Sequence, residues 1–365
     1  MTGMCARYIL EWMFNLIFFC QSIDSHDPII ADTKGRVITF SELPEVRHAW
    51  LITTRGKEIL AHKKISHLNL DIPSNGRIMT LMWLYWAIVK LIPNGKLLFY
   101  CYMTPTIPFW ISPFKIFRNF KIATWFAHSN FNALVKFNLK YLSDLWFAPN
   151  LGHASLKYKN LKIVGQAVDS DLFRPQKADK KFDLITVGRL TPVKKIENIL
   201  DAVFVLKNKY NLSLSLCICG DAYSKDDFLY KEKLISIVSK LKLNEQIHFQ
   251  NTVLKENLPN FLKQSKLFVF PQRGGISKAV VEALSMGLPI IITEDSTDYL
   301  GERLNSLFIS GVLPEDLALK IKYFVELDLM AYEKISLDCS ELIAKNGTQK
   351  DLFQRISNEI CKVFY

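Results

Sequence analysis

Several features common in proteins are missing from this chain, and each absence excludes something. No apolar run reaches the roughly 20 residues needed to cross a bilayer: YILEWMFNLIFFC at 8–20 is interrupted by Glu11 and Asn15, and IMTLMWLYWAIV at 78–89 is too short. The first run also lacks the small-residue cleavage site of a signal peptide, since Phe18, Phe19 and Cys20 precede Gln21. It reads as a short helical lead-in followed by a buried strand from Asn15 to Cys20, and the second run as a core helix. No metal-ligand spacing joins His26, His48, His62, His67, His153 and His248. The seven cysteines are an odd number, and Cys20, Cys101, Cys217 and Cys219 lie in apolar, strand-like runs where a thiol behaves as a small hydrophobe. A reducing cytoplasm is the compartment expected. Lys and Arg are spread along the chain rather than gathered into an arm or stripe, and no nucleic-acid motif accompanies them, so nucleic acid is not an expected partner.

What is present is apolar residues and positive charge. At 365 residues and 49% hydrophobic, the chain can fill two cores without staples. Its 46 Lys and Arg outnumber 35 Asp and Glu, a formal charge of +11 that calls for an anionic partner such as a phosphorylated ligand or an acidic membrane surface.

From about residue 183, short β-branched runs (DLITVG, LSLSLCICG, QIHFQ, KLFVFP, PIIIT, SLFIS) alternate with helix-length amphipathic stretches, ending with LPEDLALKIKYFVELDL. Strand and helix alternating at this spacing specify a parallel sheet covered on both faces. The first half reads the same way, with strands at NLIFFC, AWLITT, ISHLNL, KLLFYCY, KIATWFA, LWFAP and LKIVGQ and helices near 77–92 and 130–142. The later glycine signals have no second copy, so the halves are not a repeat. The expected organisation is an α/β chain of two doubly wound, Rossmann-like domains facing each other across a cleft: 1–172, 173–347, and a tail helix at 348–365 returning to the first domain.

Two strand ends carry candidate chemistry. ITVGRLTPVKK, 185–195, runs through Gly188 into a loop with Arg189 and Lys194, and a helix is expected to open near Lys194. An Arg and a Lys at a helix start can point at one anion, an outline of a diphosphate clamp; a solvated basic turn is the plainer alternative. After KLFVFP comes RGGISKAVVEALSMG, where Gly274 and Gly275 allow backbone to approach a ligand. Ile276, Val280, Ala283, Leu284 and Gly287 mark the packed stripe, leaving Glu282 on another face with Lys278 and Ala279. Glu282 then either pairs with Lys278 one turn away or, about 10 Å of helix rise beyond Gly275, reaches the ribose diol of a nucleotide.

GRLTPVKK followed by the glycine loop and VVEALSMGLPIIIT resembles the donor-binding half of GT-B glycosyltransferases, in the retaining family-four (group 1) branch. The resemblance is good over about 183–295 and looser in FNLIFFCQSIDSHDP, KIATWFAHSNFNALVKFNLKYLSD and VGQAVDSDLFRP. It implies a donor site of Gly188, Arg189, Lys194, Gly274, Gly275, Ile276, Ser277 and Glu282, with Arg189 and Lys194 on the diphosphate and Glu282 on the ribose. It also implies that His128, after strand KIATWFA, faces the reacting sugar; a satisfied histidine at a strand end is the alternative. Three departures stand out. Gly274 replaces the first of the family's two acids, Lys195 replaces a glycine common after the clamp lysine, and the glycine-rich loop after the first strand is absent.

The resemblance implies a metal-independent transferase without a cofactor, taking a nucleotide-diphosphate sugar as co-substrate. A glycan or lipid-linked acceptor is expected. In TPTIPFWISPFKIFRNFKIATWF, 104–126, Phe109, Trp110, Phe114, Phe117 and Phe120 alternate with Lys115, Arg118 and Lys121, a pattern suited to an anionic membrane surface unless the rings are core. A cytoplasmic chain, peripheral on the inner face of a membrane, follows. Gly274 motivates the rival expectation, a catalytically degenerate binding or partner subunit. The triplet Asp169, Ser170, Asp171 reads as structural.

Overall fold

A computed structural model describes residues 13–24, 32–70, 82, 95–127, 132–149, 156–272, 277–293, 309–310 and 313–364. The chain divides into two compact units, Met1–Gly165 with Gln349–Tyr365, and Gln166–Thr348. Among the described residues, the helices of eight residues or more are α1 (Thr33–Glu42), α2 (Ile196–Tyr210), α3 (Lys225–Lys240), α4 (Lys278–Ser285), α5 (Pro314–Val325), α6 (Leu329–Asn346) and α7 (Gln349–Phe364).

Among its described residues, the first unit holds seven parallel strands: β1 (Phe14–Cys20), β2 (Val46–Thr53), β3 (Ile65–Asn69), β4 (Leu97–Tyr102), β5 (Lys121–Trp125), β6 (Leu145–Ala148) and β7 (Leu161–Ile163), in the order β3-β2-β1-β4-β5-β6-β7. All seven residues of β1 are buried, as an unbroken apolar run in a sheet covered on both faces requires. Ile17 pairs with Trp50 on one side and Phe99 on the other. Helix α7 belongs to this unit, with Phe353 stacked on Phe40 of α1 at 4.7 Å.

The second unit repeats the plan with β8 (Phe182–Val187), β9 (Leu216–Cys219), β10 (Ile247–Gln250), β11 (Ser265–Phe270), β12 (Ile290–Thr293) and β13 (Ile309–Ser310), ordered β10-β9-β8-β11-β12-β13 and parallel throughout. This is the doubly wound order, in which the connections leave β8 and β11 in opposite directions. Its core joins Leu184, Ile199, Val203, Leu234, Phe268 and Ile291. Val168 and Phe173 are buried in that same core, so the stretch after Gly165 belongs to the second unit. The Asp169 carboxylate accepts from the N–H groups of Asp171 and Leu172 at 3.2 and 3.3 Å, a turn that orders the entry to this unit.

Differences from the expected elements have local causes. α1 has no clear apolar period because Thr33, Arg36 and Ser41 share its buried face with Val37 and Phe40. The expected helix at 313–329 ends at Val325, and α6 starts anew at Leu329, where the Asp328 carboxylate accepts from Ala331 N–H at 2.8 Å. The expected helix at 130–142 is Ala133–Phe137 followed by a wider turn, Asn138–Leu142. Apart from Met82, the expected helix at 77–92 lies outside the described residues. The aromatic segment splits: Phe120 is core and Phe114 packs against it, whereas Phe109, Trp110 and Phe117 are exposed.

Candidate functional site at the switch point of the second sheet

Ligands of open parallel sheets bind beyond the carboxyl ends of the strands where the connections diverge. In the second unit those ends are Val187 and Phe270. Gly188, at φ +143°, leaves β8 with its N–H donated to the Cys219 carbonyl at 2.9 Å. A β-carbon there would lie 3.2 Å from Lys194 Cε and 3.3 Å from Nζ, so the glycine makes room for the lysine. Gly220, at the end of β9 with φ +147°, packs backbone to backbone on Gly188, and a β-carbon on it would sit 2.0 Å from the Gly188 oxygen.

The loop then folds back. Leu190 is buried and donates its N–H to the Asp221 carbonyl at 3.0 Å. Pro192–Lys194 make one tight turn, Lys195 takes the left-handed conformation at φ +53°, and α2 begins at Ile196. The helix thus opens later than the sequence suggested, and Lys194 lies in the turn before it. Lys194 Nζ sits 4.4 Å from the centroid of the buried Phe270 ring. Desolvation pushes its pKa down to about 8.

Arg189 is held elsewhere. Its Nε lies 2.9 Å from Oδ2 of Asp227, whose side chain is 2% exposed against 48% for the arginine. Asp227 also closes the capping box of α3, accepting from Ser224 N–H at 3.0 Å and Tyr223 N–H at 3.3 Å while its own N–H donates to Ser224 Oγ. Burial raises the Asp227 pKa, but hydrogen bonds from Ser224 and Tyr223 and the charge of Arg189 outweigh it and leave the carboxyl below its usual range. Arg189 and Lys194 therefore do not share a partner among the described residues: one is braced by α3, the other rests on Gly188 and Phe270. Asp227 was not singled out from the sequence. The box pattern in SKDD marks a helix start, yet nothing local shows that an arginine 38 residues earlier would meet it.

On the other side of the switch point, Ser277 caps α4 in extended conformation, its carbonyl accepting from Val280 N–H at 3.1 Å. Glu282 lies five residues along, a rise of about 7.5 Å from Ser277. The sequence put Glu282 on a face apart from the packed stripe; the structure buries it to 5% exposure among Val280, Val281, Ala283 and Leu284. The reason is that α4 is enclosed on nearly every side rather than amphipathic against solvent. Lys278 Nζ approaches Glu282 Oε1 at 3.6 Å, the one-turn pair anticipated from spacing. Gly274, Gly275, Ile276 and His128 lie outside the described residues, which resume at Ser277 and stop at Ala127.

Residues 168–337 match the family model for glycosyl transferases group 1, a span that holds Gly188, Arg189, Lys194, Ser277 and Glu282. This part of the chain is similar to group 1 glycosyl transferases. An uncharacterised glycosyltransferase of Methanocaldococcus jannaschii is 32% identical over 117 residues, covering 32% of this chain and 27% of the relative, so about a quarter of that protein's length is matched. Among solved structures, Anabaena HepE in complex with UDP aligns with a TM-score of 0.73 at 14% identity, covering 96% of this chain and 100% of the other. A glycosyltransferase from Rickettsia africae aligns with a TM-score of 0.74 at 14% identity, over 96% and 98%. The fold is that of the GT-B glycosyltransferases. Within the matched span, the braced arginine and the desolvated lysine follow the carboxyl end of β8, and the buried acid lies in α4, the helix that follows β11.

Proposed function

We propose that the chain is a glycosyltransferase that moves a sugar from a nucleotide-diphosphate donor to an acceptor with retention at the anomeric carbon. The observation that carries the reading is Lys194: an ammonium held at the strand ends against Gly188 and Phe270, with no carboxylate partner among the described residues. Cleavage of the bond between the anomeric carbon and the diphosphate oxygen leaves negative charge on the leaving group. A fixed, partly desolvated cation stabilises that charge more than it stabilises the bound donor. Arg189 supplies a second charge, its fork oriented by Asp227 so that little entropy is lost on meeting an oxygen. With these two cations the reading requires no bound metal. Glu282 is the acceptor for the ribose hydroxyls, and Ser277 with Gly274, Gly275 and Ile276 surrounds the donor. His128 is assigned to the reacting sugar, and Gly274 leaves the donor sugar one acidic contact fewer.

Uridine is the first base to test, because HepE of the same fold is solved with UDP and with UDP-glucose. The acceptor we infer is a glycan or a lipid-linked group presented at a membrane. Exposed Phe109, Trp110, Ile116 and Phe117, beside Lys115 and Arg118, support an anionic surface as partner and a place on the cytoplasmic face. A thermal-shift series with UDP, GDP, ADP and CMP tests the donor reading: stabilisation by one nucleotide, lost in Lys194→Ala, is expected, and no stabilisation by any of them rejects it. Donor hydrolysis then separates the two forms of the proposal. A chain that binds the nucleotide but never turns over its sugar is the degenerate binding subunit that Gly274 suggests.

A further inference from the structure

At the opposite, amino-terminal edge of the second sheet lies a cavity of about 310 Å³, at the lower end of the volumes small molecules fill. Its wall is apolar. Leu267 comes from the start of β11, Phe324 from the end of α5, Leu327 from the connector and Leu329 from the first residue of α6. Tyr332 fixes that wall by donating its hydroxyl to the Lys266 carbonyl at 2.9 Å. Leu329 is 71% exposed and its neighbour Met330 83%, so the mouth is lined with apolar surface that nothing in the chain covers among the described residues.

The rim carries charge of one sign in excess. Lys266 Nζ is paired with Asp183 at 2.8 Å. Lys180 Nζ donates to two carbonyls, those of Lys263 at 3.1 Å and Ser265 at 2.8 Å, and has no carboxylate partner among the described residues. An ammonium has three donors, so one remains for a ligand. An apolar floor under an unneutralised ammonium is complementary to one kind of molecule: a short hydrocarbon body ending in a single anionic group.

We propose that this cavity binds a small anionic amphiphile, its chain against Leu267, Phe324, Leu327 and Leu329 and its head on Lys180. Alkyl phosphates and fatty carboxylates share this chemistry. The site does not depend on the donor reading, since Leu267 and Lys266 open β11 whereas Phe270, under Lys194, ends it.

Calorimetric titration of the full chain with octyl phosphate, octanoate, octanol and inorganic phosphate tests the proposal. Octyl phosphate or octanoate is expected to bind, whichever is tighter naming the head group, with octanol and inorganic phosphate each at least about tenfold weaker. Lys180→Gln should weaken the anions and leave octanol unchanged. Because Lys180 also holds two carbonyls, Leu329→Glu provides a second test at an exposed position: it places a like charge at the mouth and should weaken both anions about tenfold or more. The proposal is overturned by equal affinity for octanol and octyl phosphate, by anion binding unchanged in Leu329→Glu, by no heat from either anion, or by loss of that heat when UDP is saturating.

Discussion

At the scale of single residues, the proposed chemistry turns on how far one ammonium, that of Lys194, is desolvated. Lys194 has a folded pKa of about 8 against an ordinary lysine value of 10.5, so below pH 8 both folded and unfolded chains carry its proton. Between about 8 and 10.5 only the unfolded chain does; unfolding then takes up a proton and stability rises with pH across that window. Urea denaturation from pH 7.5 to 10.5 should show this rise in the parent and lose it in Lys194→Met. Nucleotide affinity should move the other way, falling as pH climbs through about 8, because the proposed diphosphate contact is made by the ammonium form. Transfer by Lys194→Met should drop on the order of 10²-fold with the fold intact, as when other preorganised donors are removed; full activity in that variant ends the clamp assignment. Lys195 presents a different kind of residue effect. It holds φ +53°, a conformation that disfavours a side chain by roughly 1–2 kcal/mol, which accounts for glycine being common there. Lys195→Gly should therefore raise stability by about 1 kcal/mol in the same denaturation experiment.

At the scale of elements, the site depends on backbone meeting backbone where β8 and β9 end. Gly220 has φ +147°, and any β-carbon on it would stand 2.0 Å from the Gly188 carbonyl oxygen. No side-chain rotation relieves that contact, so Gly220→Ala must push apart the two strand ends that set the Lys194 loop. We expect loss of soluble protein or a fall in melting temperature of more than about 5 °C, corresponding to a few kcal/mol. Gly188 differs: the atoms facing it are the flexible end of Lys194, so what a side chain there would displace is the lysine, although its own φ of +143° strains the backbone as well. The ion pair from Arg189 to Asp227 acts at this scale too, tying the first loop of the unit to the start of α3 through a capping residue.

At the scale of the whole molecule, the two units are built from different stretches of chain, and the first one needs both ends of its sequence. Leu352, Phe353, Ile356 and Ile360 of α7 are at most 1% exposed. Four buried side chains of this size contribute roughly 6–12 kcal/mol by area, comparable with the 5–15 kcal/mol that stabilises a typical domain. Deleting 349–365 should unfold the first unit and spare the second. Hydrogen exchange should then show protection lost in β1, β2 and β4 and kept in β8, β9 and β11; equal loss in both would show one cooperative block. The exposed aromatic-basic surface of the first unit makes a prediction at this scale as well. Ile116 is 85% and Phe117 69% exposed, and burying one such ring in a headgroup layer is worth roughly 1.5–3 kcal/mol. Phe117→Glu should reduce sedimentation with anionic vesicles about tenfold, and vesicle binding unaltered by that change removes the membrane assignment.

Local pattern was enough to encode much of this fold. All thirteen strands among the described residues lie within or overlap the apolar runs that marked them, because central strands such as β1, buried on both faces, read as continuous β-branched and aromatic stretches. The glycine after β8 and the basic loop beyond it were legible for the same reason: a strand end, a positive φ and a helix start each have a short-range signature. Helix α1 was not legible, since polar Arg36 and Thr33 point inward on it, nor was the break between α5 and α6, which rests on one capping aspartate. Packing between distant elements settled that Asp227 braces Arg189 across 38 residues, that Lys194 rests on Phe270, and that Glu282 is buried although it stands apart from the packed stripe read from the sequence. Burial and partner choice depend on which elements pack together, and that is set by contacts between residues far apart in the chain, where no local pattern reaches.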